Sequence, residues 1–192
     1  MEKIIFATNN AHKLSEVREI LAAKYEVVSL ADIGFTDDIA EPYDTFEENA
    51  LVKARTIAQQ MGYDCFGEDT GLIIDALGGE PGVKSARYAG EGRSTDANVD
   101  LVLQKMQGIT NRQARFKTVV ALLLGGNEYL FEGVVEGTIL TERCGTSGFG
   151  YDPIFVPTGY SQTFAEMPAE LKNNISHRAK AVEKLVAFLT KG

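Results

Sequence analysis

Apolar positions recur along this chain at two spacings, one of strands and one of helices. Ile4–Ala7 is a short apolar run followed by the polar turn Thr8-Asn9-Asn10. Beyond it Leu14, Val17 and Leu21, with Ile20 beside them, share one helical face. Val27–Leu30 returns to a strand pattern, so the opening predicts a β-α-β unit. Thr45-Phe46-Glu47-Glu48 has the spacing of a capping box, and the stripe of Phe46, Ala50, Ala54, Ile57 and Met61 predicts a helix behind it. Tyr63–Glu68 and Leu72–Ala76 read as two short strands parted at Asp69-Thr70-Gly71. Gly78, Gly79, Pro81 and Gly82 make a loop, and Asp96–Met106 a helix capped by Thr95. Phe116–Leu124 ends in the continuous apolar run of a strand covered on both faces. Gly125-Gly126-Asn127 predicts a three-residue hairpin turn into Tyr129–Val135, and Ser176 caps a last amphipathic helix to about Leu189. Parallel pairing at the front and a hairpin behind give an α/β fold, a mixed sheet flanked by helices. We expect one domain over residues 1–192, built as two lobes.

Charge narrows the partners. Lys and Arg number 19 against 27 Asp and Glu, a net charge of −8, which excludes a general nucleic-acid or anionic-membrane surface. Any anionic ligand must then be held by a local basic pocket. Hydrophobic residues at 44% and charged ones at 24% are ordinary for a folded chain and exclude disorder. A chain of this length needs no metal or disulfide staple for its core. Cys65 and Cys144 are too few for a disulfide framework or a cysteine zinc site. With His12 and His177 the only histidines, a metal must sit on carboxylates, which points to a hard ion such as Mg²⁺. The apolar stretch at the start is too short for a signal peptide, and Val119–Leu124 too short to span a membrane. The expectation is a cytoplasmic protein.

Five places carry candidate chemistry. Thr8-Asn9-Asn10-Ala11-His12-Lys13 lies between a strand end and a helix N-terminus, where free N–H groups attract phosphate. Lys13 opposes the helix dipole there unless an anion is bound, although a solvated lysine beside a polar turn has the same spacing. Asn49 and Lys53 share a helical face, and Lys53, at the edge of the apolar stripe, either snorkels or presents its ammonium to a cleft. Glu48 belongs to the capping box, whereas Glu41 has no such local duty. Glu68-Asp69-Thr70-Gly71 either binds Mg²⁺ and orients a water or is an acidic turn. If one strand persists through both carboxylates they face opposite sides, one serving the site and the other supporting it. Gly145–Pro153, with Phe149, Gly150, Tyr151 and Asp152, suits a loop that stacks on a flat ring, or a plain turn-rich connection. Lys172, His177 and Arg178 put donors around a helix N-cap, or form its exposed first turn. Together these sketch lysines for phosphates, carboxylates for a metal, an aromatic for a base and donors for its edge.

The residues also stand in a known order. Thr-x-Asn-x-x-Lys (Thr8, Asn10, Lys13) precedes Thr-Phe-x-Glu-Asn-Ala (Thr45 to Ala50) with Lys53 following. Glu-Asp-Thr-Gly-Leu (68–72), Leu-Gly-Gly-x-Pro-Gly-x-x-Ser-Ala-Arg-Tyr (77–88), Gly-Phe-Gly-Tyr-Asp-Pro-Ile-Phe (148–155) and Lys-Asn-x-Ile-Ser-His-Arg (172–178) complete the set. This resembles the inosine/xanthosine triphosphate pyrophosphatase, or Ham1, family over nearly the whole chain. The resemblance implies a Mg²⁺-dependent, homodimeric enzyme that hydrolyses ITP, dITP and XTP to monophosphate and pyrophosphate, in a cleft between its lobes. It implies that Thr8, Asn9, Asn10, Ala11, His12, Lys13 and Lys53 hold the triphosphate, and that Asp69 is catalytic base and metal ligand with Glu41 the second metal carboxylate. Thr70 would contact substrate, Phe149 in the loop with Gly150 and Tyr151 would stack on the base, and Asp152, Lys172, His177 and Arg178 would read its edge. Glu68 departs from the Asp of many members. Whether loop 77–88 shapes the site or a dimer contact is left open.

Overall fold

The structure, a computed structural model, describes residues 2–191. Strand β1 (Glu2–Phe6), helix α1 (Ala11–Leu21) and strand β2 (Tyr25–Val28) form the expected opening unit, with both β1–β2 and β1–β3 pairing parallel. Then come α2 (Phe46–Met61), β3 (Cys65–Ile74), α3 (Thr95–Lys105), β4 (Gln113–Leu124), β5 (Asn127–Ile139), β6 (Phe155–Pro157), α4 (Ala169–Ile175) and α5 (His177–Leu189). The strands make one mixed sheet in the order β2-β1-β3-β4-β5-β6, with β5 and β6 antiparallel. The α/β class stands as expected. Among the described residues no helix is long and apolar enough to cross a membrane.

Four local expectations are corrected. The predicted break at Asp69-Thr70-Gly71 does not exist: β3 is one ten-residue strand. It lies between β1 and β4, and ladder pairing on both edges overrides the turn tendency of Asp and Gly. The hairpin turn is two residues rather than three, Gly125 and Gly126 at φ 56 and 80, the left-handed pair that matches strand twist. Ser94, one residue earlier than expected, caps α3 by accepting the Ala97 N–H at 3.2 Å. Strand β2 ends before Leu30, which is buried outside any strand. The short helix α4 and strand β6 were not anticipated, being too brief to show a period. Thr45 caps α2 as expected, accepting from the Glu48 N–H at 3.2 Å, while the Glu48 carboxylate pairs with Arg55 at 3.5 Å.

The chain forms two compact units. The first comprises residues up to Asp69, Thr118–Gly133 and those from His177 onward; the second comprises Thr70–Lys117 and Val134–Ser176. In the first, Val17 and Leu21 of α1 and Val182 and Leu185 of α5 pack with Phe6, Phe66, Val120 and Leu122. Ala54 and Ile57 of α2 pack instead with Ala7 and Cys65. Since successive strand residues point oppositely, Cys65 and Phe66 show α2 on one face of β3 and α1 with α5 on the other. In the second unit Leu72, Ile74, Phe116 and Ile139 pack with Val99 and Val102 of α3 and with Phe155 and Phe164.

Candidate active site

The alternation along β3 decides where its carboxylates go. Gly67 and Asp69 share the α2 face, and Glu68 shares the α1/α5 face with Phe66. A Cβ at Gly67 would lie 2.5 Å from the Ala50 carbonyl and 3.0 Å from Lys53 Cβ, so the missing side chain is what lets α2 come this close. In consequence Lys53, buried at 7% exposure, reaches across: its Nζ donates to the Glu68 carbonyl at 2.6 Å and pairs with Glu41 at 2.5 Å. Of the two outcomes left open for Lys53, the structure takes the inward one. Glu41 is placed by Asn49, fully buried, whose amide accepts from the Tyr43 N–H and donates to the Tyr43 carbonyl, both at 3.0 Å.

On the other face Glu68, 2% exposed, is ringed by cations. Lys13 Nζ stands 2.7 Å from Oε1, and Arg178 donates from Nε to Oε2 at 2.9 Å and from Nη2 to Oε1 at 3.4 Å. Arg178 also donates through Nη1 to Glu16. Burial works against the Glu68 charge, but Arg178 and Lys13 outweigh it and hold the carboxyl well below the usual range. Arg178 can be there because β5 carries Gly133: a Cβ would fall 1.9 Å from the His177 carbonyl at the start of α5.

Asp69, 4% exposed, has the opposite balance. Burial is the chief cause that pushes its carboxyl up to about 6; the charges of Glu41 and Glu68 push the same way, against the pull of Lys53 and Lys13. A carboxylate of near-neutral basicity suits a general base or a metal ligand. Among the described residues no group of three or more His, Cys, Asp or Glu gathers for a metal. Asp69 and Glu41 nonetheless offer carboxylate oxygens only, and burial together with the neighbouring carboxylates disfavours the Asp69 charge in the absence of a cation. That fits Mg²⁺, which keeps waters and phosphate oxygens as its remaining ligands.

The Thr8–Lys13 segment turns from β1 into α1. Thr8 Oγ1 accepts the Asn10 N–H and Asn10 caps α1 by accepting the Lys13 N–H, each at 3.1 Å. Asn9, Ala11 and His12 are exposed. The first unit thus holds this loop, Glu41, Lys53, Glu68, Asp69, His177 and Arg178.

The second unit holds Thr70, Phe149, Gly150, Tyr151, Asp152 and Lys172. Asp152 Oδ2 accepts both the Phe149 N–H at 3.1 Å and Lys172 Nζ at 2.7 Å, while the ammonium lies 4.9 Å from the Phe149 ring centre. Asp152 and Lys172 are buried and Phe149 is half-buried, so a carboxylate–lysine clamp holds a ring at the surface. Tyr151 is buried and donates its hydroxyl to the Ser85 carbonyl at 2.6 Å. Loop 77–88 serves this group: Ser85 Oγ accepts the Leu72 N–H at 2.9 Å, and Asn98 Nδ2 donates to the Ser85 and Ala86 carbonyls. The loop is therefore tied to β3 just past Thr70 and to Tyr151.

Sequence reasoning missed Glu16, Gly67, Ser85, Asn98 and Gly133. The glycines did carry a signal, because an isolated glycine inside a strand pattern marks a close backbone approach. Ser85 stood in the motif of residues 77–88 without a role of its own, and Glu16 and Asn98 carried no signal.

Known proteins resemble this chain in sequence and in fold. The Ham1 family's sequence profile matches residues 4–188. The chain is 52% identical over 190 residues to the dITP/XTP pyrophosphatase of Porphyromonas gingivalis, and 49% over 188 residues to that of Flavobacterium johnsoniae, covering 98% of both chains in each case. Its fold matches the Ham1 protein of Coxiella burnetii with a TM-score of 0.90 at 37% identity, covering 100% of both chains. The Staphylococcus aureus Ham1 protein gives 0.89 at 37%, covering 99% of both. Profile, relatives and fold agree along the full length that carries the carboxylates and lysines described above, and this chain belongs to the Ham1 family.

Proposed function

We propose that this chain hydrolyses the deaminated purine nucleotides ITP, dITP and XTP to the monophosphate and pyrophosphate. The observation that carries the reading is the setting of Asp69: a buried carboxylate of raised basicity, flanked by Glu41, Lys13 and Lys53. The relatives' name, dITP/XTP pyrophosphatase, supports the choice of substrate.

Lys13, Lys53 and the N–H groups of the Thr8–Lys13 turn hold and neutralise the phosphate chain. Asp69 accepts a proton from the water that adds to the α-phosphorus, and the α–β anhydride bond breaks with pyrophosphate leaving. Mg²⁺, held by Asp69 and Glu41, would supply charge neutralisation at the phosphate oxygens and a more acidic water. Phe149 offers a stacking face for the purine. Lys172 and His177 offer donors that suit a 6-oxo group and mismatch the 6-amino group of adenine. Mg²⁺ dependence, a homodimeric state and a cytoplasmic setting are parts of the same proposal, supported by the family resemblance.

Incubation with ITP, dITP, XTP, GTP, ATP and a methylated pyrimidine triphosphate, with Mg²⁺ or with EDTA, tests it. Pyrophosphate should appear from the first three only, and none in EDTA. Stepwise orthophosphate release, or equal rates on ATP, would overturn it. Tight ITP binding without cleavage would make the chain a nucleotide sensor instead.

A further inference from the structure

Resting on that function, we infer that Asn98 is a positioning residue for the loop of Phe149, acting on it through the Ser85 carbonyl and the Tyr151 hydroxyl. Helix α3 is seated in the second unit's core by Val99 and Val102, so Asn98, buried and next to Val99 in the chain, is a fixed point. Its amide meets three backbone groups of the segment that follows Pro81. Oδ1 accepts the Ala89 N–H at 2.7 Å, and Nδ2 donates to the Ala86 and Ser85 carbonyls at 3.0 and 3.3 Å. Two acceptors and one donor leave the amide a single orientation. Those carbonyls belong to the end of the short helical segment Gly82–Arg87, where intrahelical donors run out.

The Ser85 carbonyl takes a second donor, the Tyr151 hydroxyl at 2.6 Å. Ser85 is also held from its side chain, since Oγ accepts the Leu72 N–H at 2.9 Å and donates to the Gly82 carbonyl at 2.6 Å. The turn that bears Phe149 needs such an anchor. Gly148 and Gly150 flank Phe149 at φ 73 and 61, a left-handed conformation that glycine adopts freely and that leaves the chain loose on both sides of the ring. Asp152 holds the turn from one side, accepting the Phe149 N–H at 3.1 Å and pairing with Lys172. The buried Tyr151 ring holds it from the other, its hydroxyl tied to Ser85. With both holds in place the Phe149 ring is set before a base arrives, and binding costs less ordering. Loop 77–88 thereby shapes the base end of the site.

A comparison of dITP with inorganic tripolyphosphate, which has no base, tests this. kcat and KM for dITP, tripolyphosphate affinity by calorimetry and thermal melting are measured for wild type, Tyr151→Phe, Asn98→Ala and the double variant. Each single variant should raise KM about 3- to 10-fold, the range of one or two neutral hydrogen bonds, with kcat and tripolyphosphate affinity within about twofold of wild type. Because both act on one carbonyl, the double variant should stay within about twofold of the worse single variant. Multiplied losses would make Tyr151 and Asn98 independent, and a lower melting point with wild-type KM would make Asn98 merely structural; either overturns the inference. So does a tripolyphosphate loss as large as the dITP loss. Asn98→Ala empties three hydrogen bonds and can fail to fold, so Tyr151→Phe is the second arm. It removes one hydroxyl, and an unchanged KM in that variant overturns the anchor. A wild-type protein that cleaves dITP with both variants unaffected defeats this inference alone, and one that does not cleave dITP defeats the proposed function as well.

Discussion

Lys13 and Lys172 are each held by a buried carboxylate at 2.7 Å, yet the two pairs are built differently. In the first unit Glu68 meets Lys13 from α1 and Arg178 from α5, and Arg178 goes on to Glu16, so the charges tie residues 110 and 162 positions apart. In the second unit Asp152 and Lys172 lie only 20 positions apart, and the pair is set against the Phe149 N–H and the rings of Phe149 and Phe164. A network of alternating charges fixes several side chains at once, and removing one member strands the rest. A pair whose ammonium also lies against aromatic rings keeps that contact when the carboxylate's charge is removed. The first arrangement suits a triphosphate, whose charges must be met at set positions. The second suits a flat base, which needs one face and a few edge contacts.

The largest effect that would break the comparison concerns Asp69, on which the charges of Lys53, Lys13, Glu41 and Glu68 all act. Asp69→Asn should lower kcat by about 10³-fold or more, while tripolyphosphate affinity stays within a few-fold of wild type. Because burial and like charges make its ionisation unfavourable in the fold, the same variant in EDTA at pH 7.5 should be more stable by about 1–3 kcal/mol. Pyrophosphate release and thermal melting read the two outcomes. Near-normal turnover would remove Asp69 from the chemistry.

Glu68→Gln is the next largest. It leaves Arg178 and Lys13 facing a neutral amide, and breaking a buried ion pair on one side costs about 3–5 kcal/mol. The pH dependence follows with a definite sign. The folded-state pKa of Glu68 is depressed, so its contribution is complete above the unfolded value of about 4.5 and is lost as pH falls below it. Wild type should therefore lose stability below about pH 4.5 more steeply than Glu68→Gln, in urea titrations at stepped pH. Parallel curves would show that Glu68 is not the group that the cations hold ionised.

The same contrast explains what could be read from the chain. The opening β-α-β unit, the Thr45 cap and the long apolar β4 were legible because each is set by neighbours in sequence. The loop of Phe149 and Asp152 was legible for the same reason. The continuity of β3 was not, since pairing with β1 and β4 decides it and neither partner is adjacent in the chain. Nor could Glu16 be found, because its partner lies on the last helix. Lys53 was left between two outcomes that differ only by what sits opposite, and Gly67, which settles it, is a long-range fact written as one missing methyl.

That missing methyl offers a smaller perturbation. Gly67→Ala sets a Cβ 2.5 Å from the Ala50 carbonyl, so α2 must retreat, at about 1–3 kcal/mol for an overpacked contact. Lys53 moves with α2, away from the Glu68 carbonyl. Turnover of dITP should fall more than the melting loss alone explains, whereas the base ratio between dITP and dATP stays as it was. A changed base ratio would mean that α2 also governs base choice.

Asp152→Asn should give the smallest loss of stability and the mirror-image kinetics. The amide oxygen can still accept the Phe149 N–H, and the stranded ammonium of Lys172 keeps the rings of Phe149 and Phe164 at 4.9 and 5.7 Å. About 1–2 kcal/mol is expected from losing one charge-assisted bond with that compensation. Phe149 is then held less firmly, so KM for dITP should rise several-fold with little change in kcat, and tripolyphosphate affinity should not move. Set beside Glu68→Gln, which should weaken tripolyphosphate and spare base choice, this variant separates the two carboxylate–lysine pairs by the part of the substrate each one serves. If tripolyphosphate affinity falls in Asp152→Asn as well, the division of labour drawn between the units is wrong.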